Sequence, residues 1–178
     1  MKADEKRERI IDTCMTLLET TSLETLRTQD LIEKAGVSRS TFYRLFPDKY
    51  EVASWVYKRK AEEIIGIAPR LSEWKQWTVI LHTYMREHKA FFRNIAGYRG
   101  QNSFRDFLWH YFENNNLRYR NNPEKKLTKE QRHACHCFAL IAAETTIDWI
   151  ENGFSQDDDM MTRLNEACIP DCIRSFFE

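Results

Sequence analysis

Residues 36–49 constrain the fold more than any other stretch of the chain. Gly36 is suited to end one helix, because glycine adopts positive φ without steric cost. Ser38 is a good N-cap for a second helix, since its hydroxyl can accept from free backbone N–H groups. Asp48 and Glu51 then have the spacing of a capping box, which predicts another helix start. The stretch therefore predicts short helices joined by a tight turn.

Apolar spacing extends this pattern on both sides. Residues 7–18 carry apolar side chains at helical intervals, and Leu31 and Ile32 line a second short helix. In the third helix, residues 39–45, Phe42 is expected to face the core. The side chains of that helix expected to face outward are Arg39, Ser40, Thr41, Tyr43 and Arg44. Helices in this order are typical of a helix-turn-helix module.

The rest of the chain predicts further helices. It is rich in aromatic residues at helical spacing, and the whole chain has only 5 glycines and 4 prolines. Thr128 is expected to cap a long helix that ends at Gly153, and Asp157 is expected to begin the last helix. Pro170 should interrupt that last helix. The predicted fold class is therefore all-α.

The charges of the chain are balanced, with 27 basic and 27 acidic residues. Residues 39–60 depart from this balance, with six basic against two acidic residues. Such a local excess can bind phosphates, and it can equally be a solvated helix face. The sequence has no apolar run of membrane-spanning length and a polar N-terminus, so a cytoplasmic protein with no membrane partner is expected. Its five cysteines are then expected to be reduced.

At these residues the chain resembles the TetR family of bacterial transcriptional regulators. The residues that carry the resemblance are Ala35-Gly36-Val37-Ser38, Thr41-Phe42-Tyr43, Phe46, Lys49 and Val52. A second resemblance is to a C-terminal region of some short members, including activators of dihydroxyacetone-kinase operons. It is carried by Phe91-Phe92-Arg93-Asn94 and Gly100-Gln101-Asn102-Ser103-Phe104.

The resemblance implies an architecture and a function. The expected architecture is an N-terminal three-helix helix-turn-helix domain at residues 1–50 and a C-terminal helical bundle at residues 51–178 for effector binding and dimerisation. The expected function is transcriptional regulation by a homodimer on a palindromic double-stranded DNA operator. The effector is an unknown small molecule or protein, and no cofactor is expected. No enzymatic activity is expected either, because the sequence has no Gly-rich phosphate loop, nucleophile elbow or zinc-protease helix.

The implied DNA-binding residues lie mostly on the third helix, which would enter the major groove. They are Ser38, Arg39, Ser40, Thr41, Tyr43 and Arg44, with Lys49 facing the phosphate backbone from the next helix. Arg39 is the better candidate for a base contact, because arginine can donate two hydrogen bonds to guanine. Tyr43 suits either the sugar-phosphate edge or half-buried packing. Arg39 and Arg44 could also be merely solvated.

Two positions depart from the family pattern. Arg27 stands where the family often has threonine, so the phosphate contact from the second helix comes from Arg27, from the adjacent Thr28 or from neither. Ile32 stands where the family favours alanine. These departures support an alternative function, a protein-interaction co-regulator whose DNA-binding domain is degenerate.

Two further sites are expected in the C-terminal region. An effector pocket is expected among aromatic residues that could equally form a filled core: Trp77, Tyr84, Phe92, Trp109, Phe112, Phe138 and Trp149. A dimer interface is expected on the last two helices, which carry more apolar surface than a peripheral helix pair needs. Its expected residues are Ile141, Thr145, Leu164, Cys168, Cys172 and Phe176.

Histidine and cysteine residues cluster on the same two helices: His133, Cys135, His136, Cys137, Cys168 and Cys172. Two helices could in principle supply four zinc ligands. The spacing matches no zinc motif, however, and buried thiols commonly behave as small hydrophobic residues. No metal site is therefore predicted.

Overall fold

The computed structural model describes residues 3–67, 74–118 and 126–177, and within these ranges the chain is helical and contains no strand. The helices are α1 (Ala3–Leu18), α2 (Thr28–Lys34), α3 (Arg39–Leu45), α4 (Lys49–Ile67), α5 (Trp74–Glu87), α6 (Lys89–Ala96), α7 (Phe104–Arg118), α8 (Lys129–Glu151), α9 (Asp158–Ala167) and α10 (Asp171–Arg174). The predicted all-α class is confirmed. Among the described residues, no helix is both long and apolar enough to cross a bilayer.

The predicted helix ends are formed by short-range hydrogen bonds. The Ser38 hydroxyl accepts from the Thr41 N–H at the start of α3, and Gly36 ends α2 with φ of 59°. Thr128 forms a reciprocal capping box with Gln131 at the start of α8. These contacts connect residues at most four positions apart, so local sequence is sufficient to predict them.

The start of α4 differs from the predicted capping box. Asp48 does cap the helix, because its Oδ1 accepts from the Glu51 N–H at 2.8 Å. The Glu51 carboxylate does not bind back to the helix start, however, and instead accepts from the Trp55 indole N–H at 3.0 Å. The second Asp48 oxygen accepts from the Asn102 amide at 2.8 Å. The predicted return contact from Glu51 to the helix start is therefore replaced by the contacts of Glu51 with Trp55 and of Asp48 with Asn102.

Helix α4 joins the two predicted domains. Its first residues follow the helix-turn-helix module, and it packs against α1, α5 and α7. Arg59 of α4 donates to both Glu8 and Asp12 of α1 at 2.7 Å. Buried residues of both halves belong to one continuous hydrophobic cluster that includes Phe42 and Phe92. The division at residue 50 therefore stays a prediction, since the core continues across it.

Helix α6 and the loop after it contact the helix-turn-helix module directly. The Asn94 amide donates to the Leu18 carbonyl at 2.8 Å, at the end of α1. The Tyr98 ring stacks on Tyr50 of α4 with centroids 4.4 Å apart. Together with the contact of Asn102 to Asp48, these contacts attach the middle of the chain to the end of α1 and to the start of α4.

Helix α9 is attached to α5 by a half-buried ion pair. Arg86 donates to Asp158 at 2.9 Å, and the Thr83 hydroxyl donates to the other oxygen of the same carboxylate. Arg86 also donates to the Phe154 carbonyl at 2.8 Å. Pro170 separates α9 from α10, as the sequence predicts. The last helices therefore lie against α5 and α8 in a defined orientation.

The cap of α3 gives a testable stability difference. We expect Ser38→Ala to lower the free energy of unfolding by about 1 kcal/mol, because the Thr41 N–H loses its acceptor. Urea denaturation followed by circular dichroism measures this loss. Ser40→Ala removes an exposed hydroxyl from the same helix and should change stability by less than about 0.5 kcal/mol. Equal losses in the two variants would contradict the capping role.

Candidate nucleic-acid interface and C-terminal cavity

Helix α3 has one buried and one exposed face. Phe42 is completely buried, and Phe46 at the end of the helix is nearly so. Arg39, Tyr43 and Arg44 are exposed, and the Tyr43 side chain is 45% accessible. The Arg39 guanidinium lies over the Tyr43 ring, 5.5 Å from its centroid. The helix therefore presents a guanidinium and a phenol on a rigid, apolar support.

Thr41 corrects the sequence expectation for this helix. It was expected to face outward, but its side chain is 9% exposed. Its Oγ1 accepts from the Ser38 hydroxyl at 2.9 Å. Because Thr41 is three residues after the N-cap, it lies beneath the capping hydroxyl, and its own hydroxyl is used inside the turn. Ser38 is itself exposed, as is Ser40, whose hydroxyl lies 3.1 Å from that of Ser38.

Lys49 makes contacts that the sequence does not reveal. Its Nζ donates to the Leu26 carbonyl at 2.6 Å and to the Glu24 carbonyl at 3.2 Å. Partial burial lowers the pKa of this ammonium group, while the nearby Glu24 carboxylate opposes the shift. Lys49 thus connects the start of α4 to the loop before α2. A phosphate contact by the same group remains a prediction.

The start of α2 carries an exposed ion pair. The Arg27 guanidinium donates to both oxygens of Asp30 at 2.9 and 2.7 Å, and this pairing lowers the pKa of the Asp30 carboxyl. Thr28 is half-buried beside it. Ile32 is 5% exposed and belongs to the main core. The two departures from the family pattern therefore leave α2 packed in place, with a basic side chain at its solvent-facing start.

A cavity of about 60 Å³ lies between α4, α5, α7 and α8. Its lining residues are Tyr57, Trp74, Trp77, Thr78, Leu81, His82, Met85, Tyr111, Phe112, Asn115, Asn116, Phe138, Ala142, Thr146, Asn165 and Phe177. Three of the predicted pocket residues are among them: Trp77, Phe112 and Phe138. The polar members, including Asn116 and His82, are not predicted, because only the aromatic content of the sequence points to a pocket.

The other four predicted pocket residues lie elsewhere. Phe92 is fully buried in the main core, and the Tyr84 hydroxyl contacts Met15 Sδ on α1 at 3.7 Å. Trp109 stacks on the neighbouring His110, with centroids 4.3 Å apart. Trp149 packs against Phe154, and its indole donates to a backbone carbonyl at 3.0 Å. Sequence spacing predicts that these aromatic residues lie on the apolar faces of helices. Which residues each ring then contacts depends on the tertiary fold.

The predicted dimer residues divide into two groups. Leu164 on α9 and Ile141 on α8 are exposed to 47% and 42%, and Cys168, the residue that follows α9, is also exposed. Thr145 donates to the Asn165 side chain at 3.0 Å, so α8 and α9 adjoin at this point. Phe176 was expected at the interface but is 7% exposed.

The correction for Phe176 has a simple cause. It packs in a second apolar cluster with Trp74, Phe138 and Ile173, because α10 turns back onto the start of α8. Cys172 packs half-buried against the same cluster. These two residues thus help to hold α10 against its own chain.

The histidine–cysteine cluster is only partly assembled. Cys137 Sγ lies 3.5 Å from His133 Nε2, while His136 pairs with Glu113 at 3.1 Å. Burial raises the pKa of the Cys135 thiol to about 11. Within residues 3–67, 74–118 and 126–177, no three potential ligand side chains meet in a metal-binding arrangement.

Comparison with protein families decides the identity of the chain. Residues 72–170 match a family model described as a transcriptional regulator C-terminal region. Residues 10–54 match the bacterial regulatory proteins of the tetR family. The chain belongs to the TetR family. This TetR-family protein is accordingly a DNA-binding transcriptional regulator and not an enzyme.

Known proteins are similar to this chain in sequence or in fold. The dhaKLM operon transcriptional activator DhaS of Lactococcus lactis is 24% identical over 79 residues, which are 44% of this chain and 42% of that protein. A solved structure of a dihydroxyacetone kinase operon activator DhaS has a TM-score of 0.60 at 19% identity, covering 92% of this chain and 96% of the other. A TetR regulator from Rhodococcus sp. RHA1 also has a TM-score of 0.60, at 13% identity, with 96% and 99% covered.

The buried His82 of this TetR-family chain gives a pH dependence. Burial, aided by the nearby Arg86, lowers its pKa from 6.5 to about 4, although contacts with Asp158 act in the opposite direction. Between these pH values the unfolded chain binds a proton on this residue and the folded chain does not. The folded state should therefore lose stability as the pH falls through this range, with a slope approaching about 1.4 kcal/mol per pH unit from this group.

Urea denaturation across that pH range measures the slope. His82→Gln should flatten it, because the titrating group is gone. His110→Gln is the matched control, because it removes an exposed histidine by the same substitution. An identical slope in wild type and His82→Gln would assign the acid sensitivity to other groups.

Proposed function

We propose that this regulator binds a palindromic operator as a homodimer through α3, and that a ligand in the C-terminal cavity controls this binding. The observation that carries the proposal is the exposed Arg39–Tyr43–Arg44 face of α3, supported from behind by the buried Phe42. A helix docked in the major groove needs such a polar face on a fixed support.

The exposed side chains of α3 suit different parts of DNA. Arg39 is at the first turn of the helix, from which recognition helices contact base edges, and its guanidinium can donate two hydrogen bonds to guanine. The Tyr43 ring positions that guanidinium and offers a hydroxyl for the sugar-phosphate edge. Ser40 and Arg44 would add contacts to bases or phosphates on the same face. Ser38 and Thr41 would serve mainly to hold the start of the helix.

The α8–α9 pair is the proposed dimer surface. Leu140, Ile141, Met160 and Leu164 are exposed to between 37% and 47%, although all are large apolar side chains. A four-helix bundle across a twofold axis would remove these side chains from water. It would also set the distance between two copies of α3, as half-sites about 34–36 Å apart require.

Helix α4 is the proposed route between the cavity and DNA. Tyr57 of α4 lines the cavity. On the same helix Arg59 is bound to α1, and Lys49 is bound to the loop before α2. A ligand that displaced Tyr57 would therefore move the supports of the DNA-binding module. This rigid attachment favours a shift of the module as a unit rather than local unfolding of α3.

Arg39→Ala tests the DNA-reading role. Selection of bound duplexes from a random pool should yield a palindrome for the wild type. The variant should lose about 1–3 kcal/mol of discrimination at a single position in each half-site, because one bidentate base contact is lost. Arg93→Ala removes the same charge from an exposed site on α6 and should leave the selected sequence unchanged. An unaltered preference in Arg39→Ala would reject the base contact, and a wild type without sequence preference would reject operator binding itself.

Leu164→Glu tests the dimer surface. We expect it to raise the dimer dissociation constant at least about a hundredfold, because burying an unpaired carboxylate costs several kcal/mol. Sedimentation equilibrium measures the change. Ile80→Glu introduces the same charge at an exposed apolar site on α5 and should leave the dimer intact. If Leu164→Glu sediments like the wild type, the interface lies elsewhere.

A further inference from the structure

The C-terminal cavity contains no fixed charge on its described walls. Rings and aliphatic side chains make up most of the lining, and its polar members are hydroxyls, amides and one imidazole. Burial lowers the pKa of that imidazole, His82, to about 4, so it is neutral near pH 7. Burying an ion without a partner is costly, so such walls disfavour a charged ligand.

One donor in this cavity has no partner. Asn116 is 7% exposed, and its Nδ2 is buried without a hydrogen-bond acceptor. A buried polar group left unpaired destabilises the protein, and a hydrogen bond to a ligand acceptor would remove this cost. Because Asn116 lines the cavity, a rotation of its side chain would bring this unpaired amide to a ligand oxygen.

His82 supplies an acceptor on another wall of the same cavity. Its Nδ1 lies 3.3 Å from the Asp158 carbonyl and 3.1 Å from the Thr162 hydroxyl. The Thr162 hydroxyl donates to the Asp158 carbonyl, so the Thr162 oxygen is free to accept a hydrogen bond. Both neighbours of Nδ1 are then acceptors, which places the proton of the neutral ring on Nδ1. The remaining nitrogen, Nε2, is therefore a hydrogen-bond acceptor.

The volume limits the size of the ligand. At about 60 Å³ the cavity is less than half the roughly 150 Å³ of an engineered cavity that binds benzene. In its present shape it holds a molecule of about three or four non-hydrogen atoms. A six-membered ring would bind only if the aromatic walls moved apart. Two neighbouring wall residues are Trp74 and Phe177, whose ring centroids are 5.5 Å apart.

We propose that this cavity selects a small uncharged hydroxyl compound, whose oxygen accepts from Asn116 and whose O–H donates to His82. A hydroxyl group offers both an acceptor for Asn116 and a donor for His82. The surrounding rings and aliphatic groups would cover the carbon atoms of the ligand. The inference rests on the proposed effector role of the cavity and adds the chemical class of the effector. A short alcohol and a phenol share this chemistry and differ in size.

Binding of matched probes to the intact wild-type protein tests the class. Propan-2-ol and 2-chloropropane form the small pair, and phenol and toluene form the large pair; acetate and benzoate are their charged counterparts. Ligand-observed NMR titration gives each affinity. In at least one pair the hydroxyl compound should bind about tenfold more tightly than its apolar match, and the carboxylates should bind more weakly still. The pair that binds identifies the size of the ligand.

Three results would overturn the proposal. They are equal binding of hydroxyl and apolar probes in both pairs, tighter binding of a carboxylate, and no binding of any probe.

Asn116→Leu tests the donor. It should remove most of the tenfold preference for the hydroxyl probe while apolar probes still bind, which also reports that the cavity is intact. Asn114→Leu changes an exposed residue on the same helix and should keep the preference. Asn116→Ala is the second variant if the leucine does not fit. A preference that survives in a folded Asn116 variant would refute the assignment of the donor.

Operator binding separates this inference from the proposed function. Hydroxyl probes that bind without changing operator affinity would leave the ligand chemistry standing and reject the effector role. Probes that change operator affinity without any preference for the hydroxyl would reject the chemistry and retain the effector role.

Discussion

The burial of Phe42 and Phe46 is the constraint on which the rest of the structure depends. A short helix such as α3 is not stable by itself, because the nucleation of a helix is costly. Its position is fixed by these two rings, each of which contributes about 1.5–3 kcal/mol on burial. Phe42 contacts Tyr43 edge to face with centroids 5.3 Å apart. The apolar anchor and the exposed polar face are therefore parts of one rigid unit.

That rigid unit is extended into the rest of the molecule by α4. Lys49 and Arg59 attach α4 to the loop before α2 and to α1. Tyr57, between them in sequence, lies on the cavity wall. The loop after α6 adds contacts from Tyr98 and Asn102 at the start of the same helix. The DNA-binding module and the cavity are thus joined through side chains that are fixed at both ends, and the proposed regulation by a ligand rests on this connection.

Some features of this protein can be predicted from the sequence and others cannot. Helix starts at Ser38, Thr128 and Asp157 follow from the sequence because a cap connects atoms within one turn. The exposed arginines of α3 also follow from helical periodicity. Thr41 does not, because its burial depends on how α3 packs in the fold and not on the spacing of residues along the helix. Of the predicted aromatic pocket residues, Trp77, Phe112 and Phe138 line the cavity, whereas Tyr84, Trp109 and Trp149 lie on the same helices but contact other residues.

The sequence alone determined the order of the helices, the starts of α3, α8 and α9 and the membership of this chain in a family of DNA-binding regulators, because these depend on short-range spacing. Tertiary structure alone decided the bonding of Lys49 to backbone carbonyls, the burial of Phe176 and the meeting of Asn116 and His82 at one cavity. Each of these involves residues far apart in the chain. Their contacts depend on how whole helices pack, which periodicity along a single helix does not specify.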